Sequence, residues 1–210
     1  MKYKVMIVED QTMPRELFEL RIQASERFEV ALSIDNAALA DVYCLRFPVD
    51  LILMDVVTRG GESGLDAAER IKRTFPQMKI IIVTSMPECS YLSRAREIGV
   101  ESFWYKEEQR ESLLDVMERT MNGESVYPGA SPELTLGMAS SCQFTERELD
   151  ILREITSGDT NQEIADRLNM SVATVKTHIL NMLEKTGFRN RTELAVRARE
   201  SGLVILNRRN

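Results

Sequence analysis

The chain has 210 residues, 43% of them hydrophobic and 29% charged, which fits a folded chain of one large or two ordinary domains. Formal net charge is −6, yet residues 171–199 hold six basic side chains against Glu184 and Glu193. Such a segment suits either a polyanionic partner or a solvated face. The longest apolar runs are strand-length and broken by charge, which excludes the ~18-residue apolar run of a membrane-spanning helix.

Met1-Lys2-Tyr3-Lys4 leads straight into an apolar run, with no signal-peptide core. Short apolar runs then alternate with longer amphipathic stretches. The pattern predicts strands over 4–8, 28–34, 50–54, 79–83 and 102–105, and helices over 13–25, 36–46, 64–74, 88–98 and 108–121. Five βα units in a row predict an α/β fold, a doubly wound five-stranded parallel sheet with helices on both faces. Leu51–Met54 and Ile80–Val83 are continuously apolar, as strands covered on both faces should be.

Residues 122–143 change character. Pro128, Gly129, Pro132 and Gly137 punctuate a Ser-containing stretch, which reads as a linker with a short ordered segment near Glu133–Met138. From Phe144 onward the pattern is helical, over 145–156, 160–168, 171–186 and 190–201. Thr145 with Glu148 and Thr160 with Glu163 match the capping box, and Asn190 with Glu193 is an Asn-led version. Gly158 and Gly187 stand where helices should end. The predicted organisation is a first domain over 1–121, a linker over 122–143, and a smaller all-α domain over 144–210. Cys44, Cys89 and Cys142 are odd in number and widely spaced. They are expected to be plain thiols of a reducing cytosol, without a disulfide framework or zinc site.

Four strand ends aim polar residues at one rim. Glu9 and Asp10 follow the first strand, Asp55 the third, Thr84 the fourth and Lys106 the fifth. Ligands of parallel α/β sheets bind at the carboxyl ends of the strands. An acidic pair, a lone carboxylate, a hydroxyl and an ammonium suit placing a phosphoryl group on a carboxylate beside a divalent metal. A carboxylate can attack phosphorus, and Mg²⁺ takes oxygen ligands. Asp10 and Asp55 can coordinate directly and Glu9 through a water. Lys106 can pair with a phosphoryl oxygen and Thr84 can donate a hydrogen bond to another.

In these residues the first domain resembles the receiver domain of two-component response regulators, a flavodoxin-like fold. The resemblance implies Asp55 as phosphoacceptor, Thr84 as switch hydroxyl, Phe103 as switch aromatic, Lys106 as the phosphoryl-pairing lysine, and the Val57 backbone carbonyl as a further Mg²⁺ ligand. Three features depart from the family. The acidic pair is Glu-Asp; the loop Val56–Ser63 lacks Pro and is one residue longer before Gly64; and Glu107, not Pro, follows Lys106.

The second domain resembles the LuxR-type helix-turn-helix. The matching residues are Phe144-Thr145-Glu146-Arg147-Glu148, Gly158, Asn161 to Ala165, Ser171 to His178, Lys185, Gly187 and Asn190 to Glu193. Together the halves place the chain in the NarL/FixJ class. Ile164, Ala165, Leu168, Val172, Val175, Ile179 and Leu183 can share one buried seam. That turns Thr174, Lys176, Thr177, Leu180 and Asn181 outward on the helix expected in the major groove. Thr160 and Asn161 join this DNA-contacting set, while Lys185, Arg189 and Arg191 are expected on phosphates. Leu180 offers an apolar contact such as a thymine methyl. His178, the sole histidine, has no partner for catalysis or metal binding and reads as structural or phosphate-contacting. Leu194, Ala195 and Ala198 should pack inward on the last helix, leaving Val196 outward, where by resemblance dimers form.

The expected protein is a cytoplasmic, non-enzymatic transcription regulator. It would take a phosphoryl group from a sensor histidine kinase with Mg²⁺, bind a double-stranded DNA operator, form a homodimer when phosphorylated, and need no membrane. Two alternatives stand beside it. One is an aspartyl-phosphate phosphatase, which would carry an acid where Val57 stands. The other is a receiver governed by a partner protein without phosphorylation.

Overall fold

The computed structural model describes the chain apart from residues 1, 61, 87–88, 107–110 and 205–210 and the side chains at 89 and 146. The chain divides into two units, Met1–Ser85 with Tyr91–Gly129 and Met86–Ser90 with Ala130–Asn210.

The first unit carries β1 (Tyr3–Val8), α1 (Thr12–Gln23), β2 (Phe28–Ile34), α2 (Ala40–Arg46), β3 (Leu51–Met54), α3 (Gly64–Thr74), β4 (Lys79–Thr84), α4 (Cys89–Ile98), β5 (Ser102–Tyr105) and α5 (Leu113–Met121). A 3₁₀ turn, Ala37–Leu39, precedes α2. All strand pairs are parallel, in the order β2-β1-β3-β4-β5. The order reverses between β1 and β3, which opens a crevice at their carboxyl ends. Burial explains why the strands are so apolar. Val5, Ile7, Leu51, Leu53, Ile81 and Val83 pack with Phe18, Ile22, Trp104, Leu113, Val116 and Met117. Met6, Ile52, Met54, Ile80 and Ile82 on the alternate positions are buried as well. α3 occupies the bounds the pattern predicts, because Ser63 accepts a hydrogen bond from the Leu65 amide and caps it. The start predicted for the fifth helix lies partly outside the described residues; α5 itself is capped by Ser112 on the Asp115 amide.

The stretch read as a linker is ordered at both ends. The Val126 amide donates to Ser102 Oγ at 3.1 Å, and the Phe103 amide donates to the Val126 carbonyl at 2.8 Å. Tyr127 hydroxyl donates to the Val100 carbonyl at 2.7 Å. At the other end, β6 (Thr135–Leu136) and β7 (Ala139–Ser140) form an antiparallel hairpin within the expected ordered segment and just beyond it.

In the second unit follow α6 (Glu146–Thr156), α7 (Asn161–Arg167), α8 (Val172–Thr186) and α9 (Arg191–Ser201). Both Thr-led capping boxes form. Asn190 caps α9 on the Glu193 amide, but Glu193 reaches back to the Arg189 amide instead of Asn190. Gly187 closes α8 at φ +74°, a left-handed turn that glycine takes without steric cost. Ile164, Ala165, Val175 and Ile179 are buried in the seam, with Leu168, Val172 and Leu183 at its margin. Met182, which the sequence reading left out, is fully buried. Leu194 and Ala198 point inward and Val196 is 49% exposed. Cys142 is disulfide-bonded and Cys44 is a free thiol. Cys44 is thus the plain thiol expected, and the reading of Cys142 as one is corrected, since spacing along a chain does not measure distance in the folded protein.

Candidate functional site

The crevice between β1 and β3 gathers the acidic residues. Ladder bonding sets their depth: the Asp55 amide donates to the Val8 carbonyl at 2.9 Å, so the residue after β3 sits beside the end of β1. Glu9 and Asp55 are 0% and 3% exposed. One oxygen from each of Glu9, Asp10 and Asp55 lies within 4.8 Å of the others. Across from them, Lys106 Nζ is 2.5 Å from Glu9 Oε2 and 2.8 Å from Asp55 Oδ2. Its own strand end is fixed by the Lys106 amide donating to the Thr84 carbonyl at 3.0 Å.

Burial dominates the electrostatics. It pushes the Glu9 carboxyl up to about 7, with the nearby Asp55 charge adding to the effect and Lys106 opposing it. Burial also raises Asp55, against Lys106 and against the Val56 and Val57 amides. For Lys106 burial pulls downward, but the two carboxylates outweigh it and hold the ammonium above its ordinary range. A cation is therefore shared between two buried carboxylates. Hard oxygen donors this close together fit a divalent cation such as Mg²⁺, which would relieve their mutual repulsion.

Thr84 ends β4 fully buried, and Phe103 on β5 is 1% exposed. The Phe103 ring lies 5.0 Å from that of Tyr105. The Val56 amide donates to Asp55 Oδ1 at 2.7 Å. Gly64 closes the loop over Asp55; a Cβ there would lie 1.9 Å from the Asp55 carbonyl oxygen. Glu107 lies outside the described residues.

In the second unit Thr174, Lys176, Thr177, Leu180 and Asn181 are all exposed on α8, and Leu180 is 60% exposed. Thr174 Oγ1 is bonded to the cap residue Ser171, and Thr177 Oγ1 donates to the Ala173 carbonyl. Thr160 is spent on capping α7. Arg189 is exposed. Two of the expected phosphate-binding cations have intramolecular partners. Lys185 Nζ donates to Glu148 Oε2 at 2.6 Å and to the Gln143 carbonyl at 2.9 Å. Arg191 donates to Asn161 Oδ1 and to the Asp159 carbonyl. His178 on α8 is half-buried.

Sequence reading missed Tyr127 and Thr58. A lone aromatic in a Pro- and Gly-punctuated stretch was the available signal for Tyr127. Nothing in the sequence marks the hydroxyl of Thr58.

The family model of the response regulator receiver domain matches residues 5–118. That of bacterial regulatory proteins of the luxR family matches residues 142–198. Response regulator protein VraR of Staphylococcus aureus strain Mu3 is 31% identical, covering 97% of this chain and all of the relative. VraR of Staphylococcus epidermidis RP62A is 32% identical over the same shares. Among solved structures, RcsB in two dimers bound to two parallel DNAs superposes with TM-score 0.57 at 18% identity, covering 95% of this chain and 98% of that one. ChrA, a response regulator of a heme-sensing two-component system, does so with TM-score 0.52 at 21% identity, covering 97% and 99%. These structures share the fold. By its two family matches and its relatives, the chain belongs to the response regulators that join a receiver domain to a LuxR-type DNA-binding domain.

Proposed function

We propose that the protein is a transcription regulator controlled by phosphorylation of Asp55. The observation that carries this reading is the Lys106 ammonium bridging Asp55 and Glu9 beside Asp10, at the crevice where the strand order reverses.

The donor is the phosphohistidine of a sensor kinase. An Asp55 oxygen attacks phosphorus, the P–N bond breaks, and the leaving imidazole keeps the electron pair and takes up a proton. Asp10, Asp55, the Val57 carbonyl and, through a water, Glu9 would hold Mg²⁺, which when bound would neutralise the phosphoryl charge. Lys106 exchanges one carboxylate partner for a phosphoryl oxygen, and Thr84 donates to another. Movement of Thr84 makes room that Phe103 fills, so a local charge event repacks the surface near β5. Val57, two residues past Asp55, carries no acid to hydrolyse the product quickly, so the site stores a signal instead of turning over substrate.

The output is DNA binding in the cytoplasm. α8 lies in the major groove with Thr174, Lys176, Thr177, Leu180 and Asn181 at base edges, and Thr160, Asn161 and Arg189 on or near the backbone. Lys185 and Arg191 reach phosphates only by exchanging the partners they hold. RcsB has been solved as dimers on DNA; here the outward face of α9 around Val196 would pair two phosphorylated copies on an operator.

The test is mass spectrometry after acetyl phosphate treatment with Mg²⁺. Wild type should gain one phosphoryl group and Asp55→Asn none. Equal labelling of both removes Asp55 from this role, and labelling that persists with the metal chelated removes Mg²⁺.

A further inference from the structure

Between Asp55 and α3 the chain folds back on itself instead of wandering. Val57 and Ser63 form an antiparallel bridge, and the Gly64 amide donates to the Val56 carbonyl at 2.8 Å. The base of this loop carries the amide that holds Asp55 Oδ1. Its placement therefore sets how the carboxylate is presented.

The middle of the loop is tied to the turn after β2. The Ala37 amide begins a helical turn and needs an acceptor. Asn36, the cap residue, already serves the Ala38 amide. Thr58 meets the need from the other segment: its Oγ1 accepts from Ala37 at 3.0 Å and lies 3.5 Å from the Glu62 carbonyl, to which it donates. Thr58 is 2% exposed, so water does not substitute for these bonds. Outer ties reinforce the buried one. The Arg59 amide donates to the Asp35 carbonyl at 3.2 Å, and its guanidinium pairs with the Asp35 carboxylate at 3.2 Å. Glu62 pairs with Arg70 of α3, which also reaches Asp41 of α2.

We propose that Thr58 is a positioning residue for phosphoryl transfer, locking the lengthened loop so that its amides and carbonyls stay aligned on Asp55 and its metal. The inference rests on Asp55 being the phosphoacceptor. Thr58 touches neither the phosphoryl group nor the metal; it acts through the loop. Misplacing a catalytic group by 1 Å can cost about 100-fold in rate, and an untied surface loop moves by more than that.

The experiment uses the full chain as wild type, Thr58→Val and Thr58→Ser. Valine keeps the shape and removes both hydrogen bonds; serine keeps the hydroxyl. Mg²⁺ affinity is read by calorimetry on the unphosphorylated protein, and the rate of Asp55 labelling by acetyl phosphate at saturating Mg²⁺. Thr58→Val should bind Mg²⁺ about threefold or more weakly and label about tenfold more slowly, and Thr58→Ser should recover both to within about twofold. Wild-type behaviour of Thr58→Val overturns the proposal, and so does equal impairment of Val and Ser variants. If Thr58→Val fails to fold, Thr58→Ala decides, since it too removes both hydrogen bonds: slower labelling and weaker Mg²⁺ binding than in Thr58→Ser support the locked loop, and wild-type values of both overturn it. A wild-type protein that neither binds Mg²⁺ nor takes a phosphoryl group sinks the phosphoacceptor reading itself.

Discussion

The rings of Phe103 and Tyr127 lie 6.4 Å apart, centre to centre, at an interplanar angle of 33°. One belongs to β5, the strand that leads into Lys106. The other belongs to the segment through which the chain leaves the first unit. The Arg96 guanidinium of α4 covers the Tyr127 ring from 4.7 Å, so α4, β5 and the exit segment share one aromatic contact. Aromatic and cation–π pairs are each worth about 0.5–1.5 kcal/mol, enough to bias a switch and too little to lock it.

Tyr127→Ala is therefore expected to leave Asp55 labelling intact and to change how labelling alters DNA affinity. Operator binding with and without phosphodonor measures this. Tyr127→Phe keeps the ring and loses one hydrogen bond, worth about 1 kcal/mol, and should lie between Tyr127→Ala and wild type. An unchanged phosphorylation response in Tyr127→Ala would leave the ring contact without a role in signalling.

Lys106→Met should destabilise the metal-free protein most above neutral pH. The Glu9 carboxyl is raised from its ordinary 4.5 to about 7 in the folded protein. Its stability contribution is then fully present below the ordinary value and lost as pH rises through about 7. Removing the cation leaves two buried carboxylates uncompensated, a loss of about 3–5 kcal/mol when they are ionised. At pH 5 protonation absorbs much of that loss. Denaturant unfolding in chelator at pH 8 and pH 5 checks the difference, and an equal loss at both would mean that the carboxylates do not titrate in this window.

Lys185→Met should lower folding stability as well as any DNA affinity. Lys185 bonds the buried Glu148 carboxylate. Burial pushes Glu148 upward, but the Lys185 and Thr145 hydrogen bonds outweigh it and hold the carboxyl below its ordinary range. A lowered folded pKa gives stability that is present above the ordinary 4.5 and lost as pH falls. Hydrogen bonds to charged groups contribute about 1.5–3 kcal/mol, so urea unfolding at pH 7 should show a loss of that order. Arg189→Ala, on an exposed residue, should weaken binding to all sequences alike and leave unfolding unchanged.

Lys176→Ala should weaken binding to the preferred operator by about 1–3 kcal/mol if its ammonium meets a base. Affinity of the whole protein should also fall steeply with salt, because phosphate contacts release counterions. Titrations at two salt concentrations with matched and scrambled DNA separate the two effects.

The sheet was legible because β1, β3 and β4 are buried on both faces, and burial leaves a continuous apolar run. The site was legible because its residues stand directly after those runs. α8 could be read from its stop at Gly187 and the periodic Val175 and Ile179. What stayed hidden depends on partners far along the chain. The Glu148 partner of Lys185 shows only once the fold brings α6 and α8 together. Tyr127 looks like a linker residue until Val100, Phe103 and Arg96 surround it. Thr58 looks like any loop threonine until Ala37 presents an amide.

The pairing of Val126 with Phe103 bears on where this chain can be cut. β5 stands last in the sheet order, and a last strand offers unpaired amides to any other extended chain. Here the segment after α5 supplies the Val126 carbonyl to the Phe103 amide and sets its own amide on Ser102. A fragment ending at Met121 would lose that cover and show the β5 edge to its neighbours, whereas one ending at Gly129 would keep it. The shorter fragment should aggregate at concentrations where the longer one stays monodisperse, which light scattering on the two fragments would reveal.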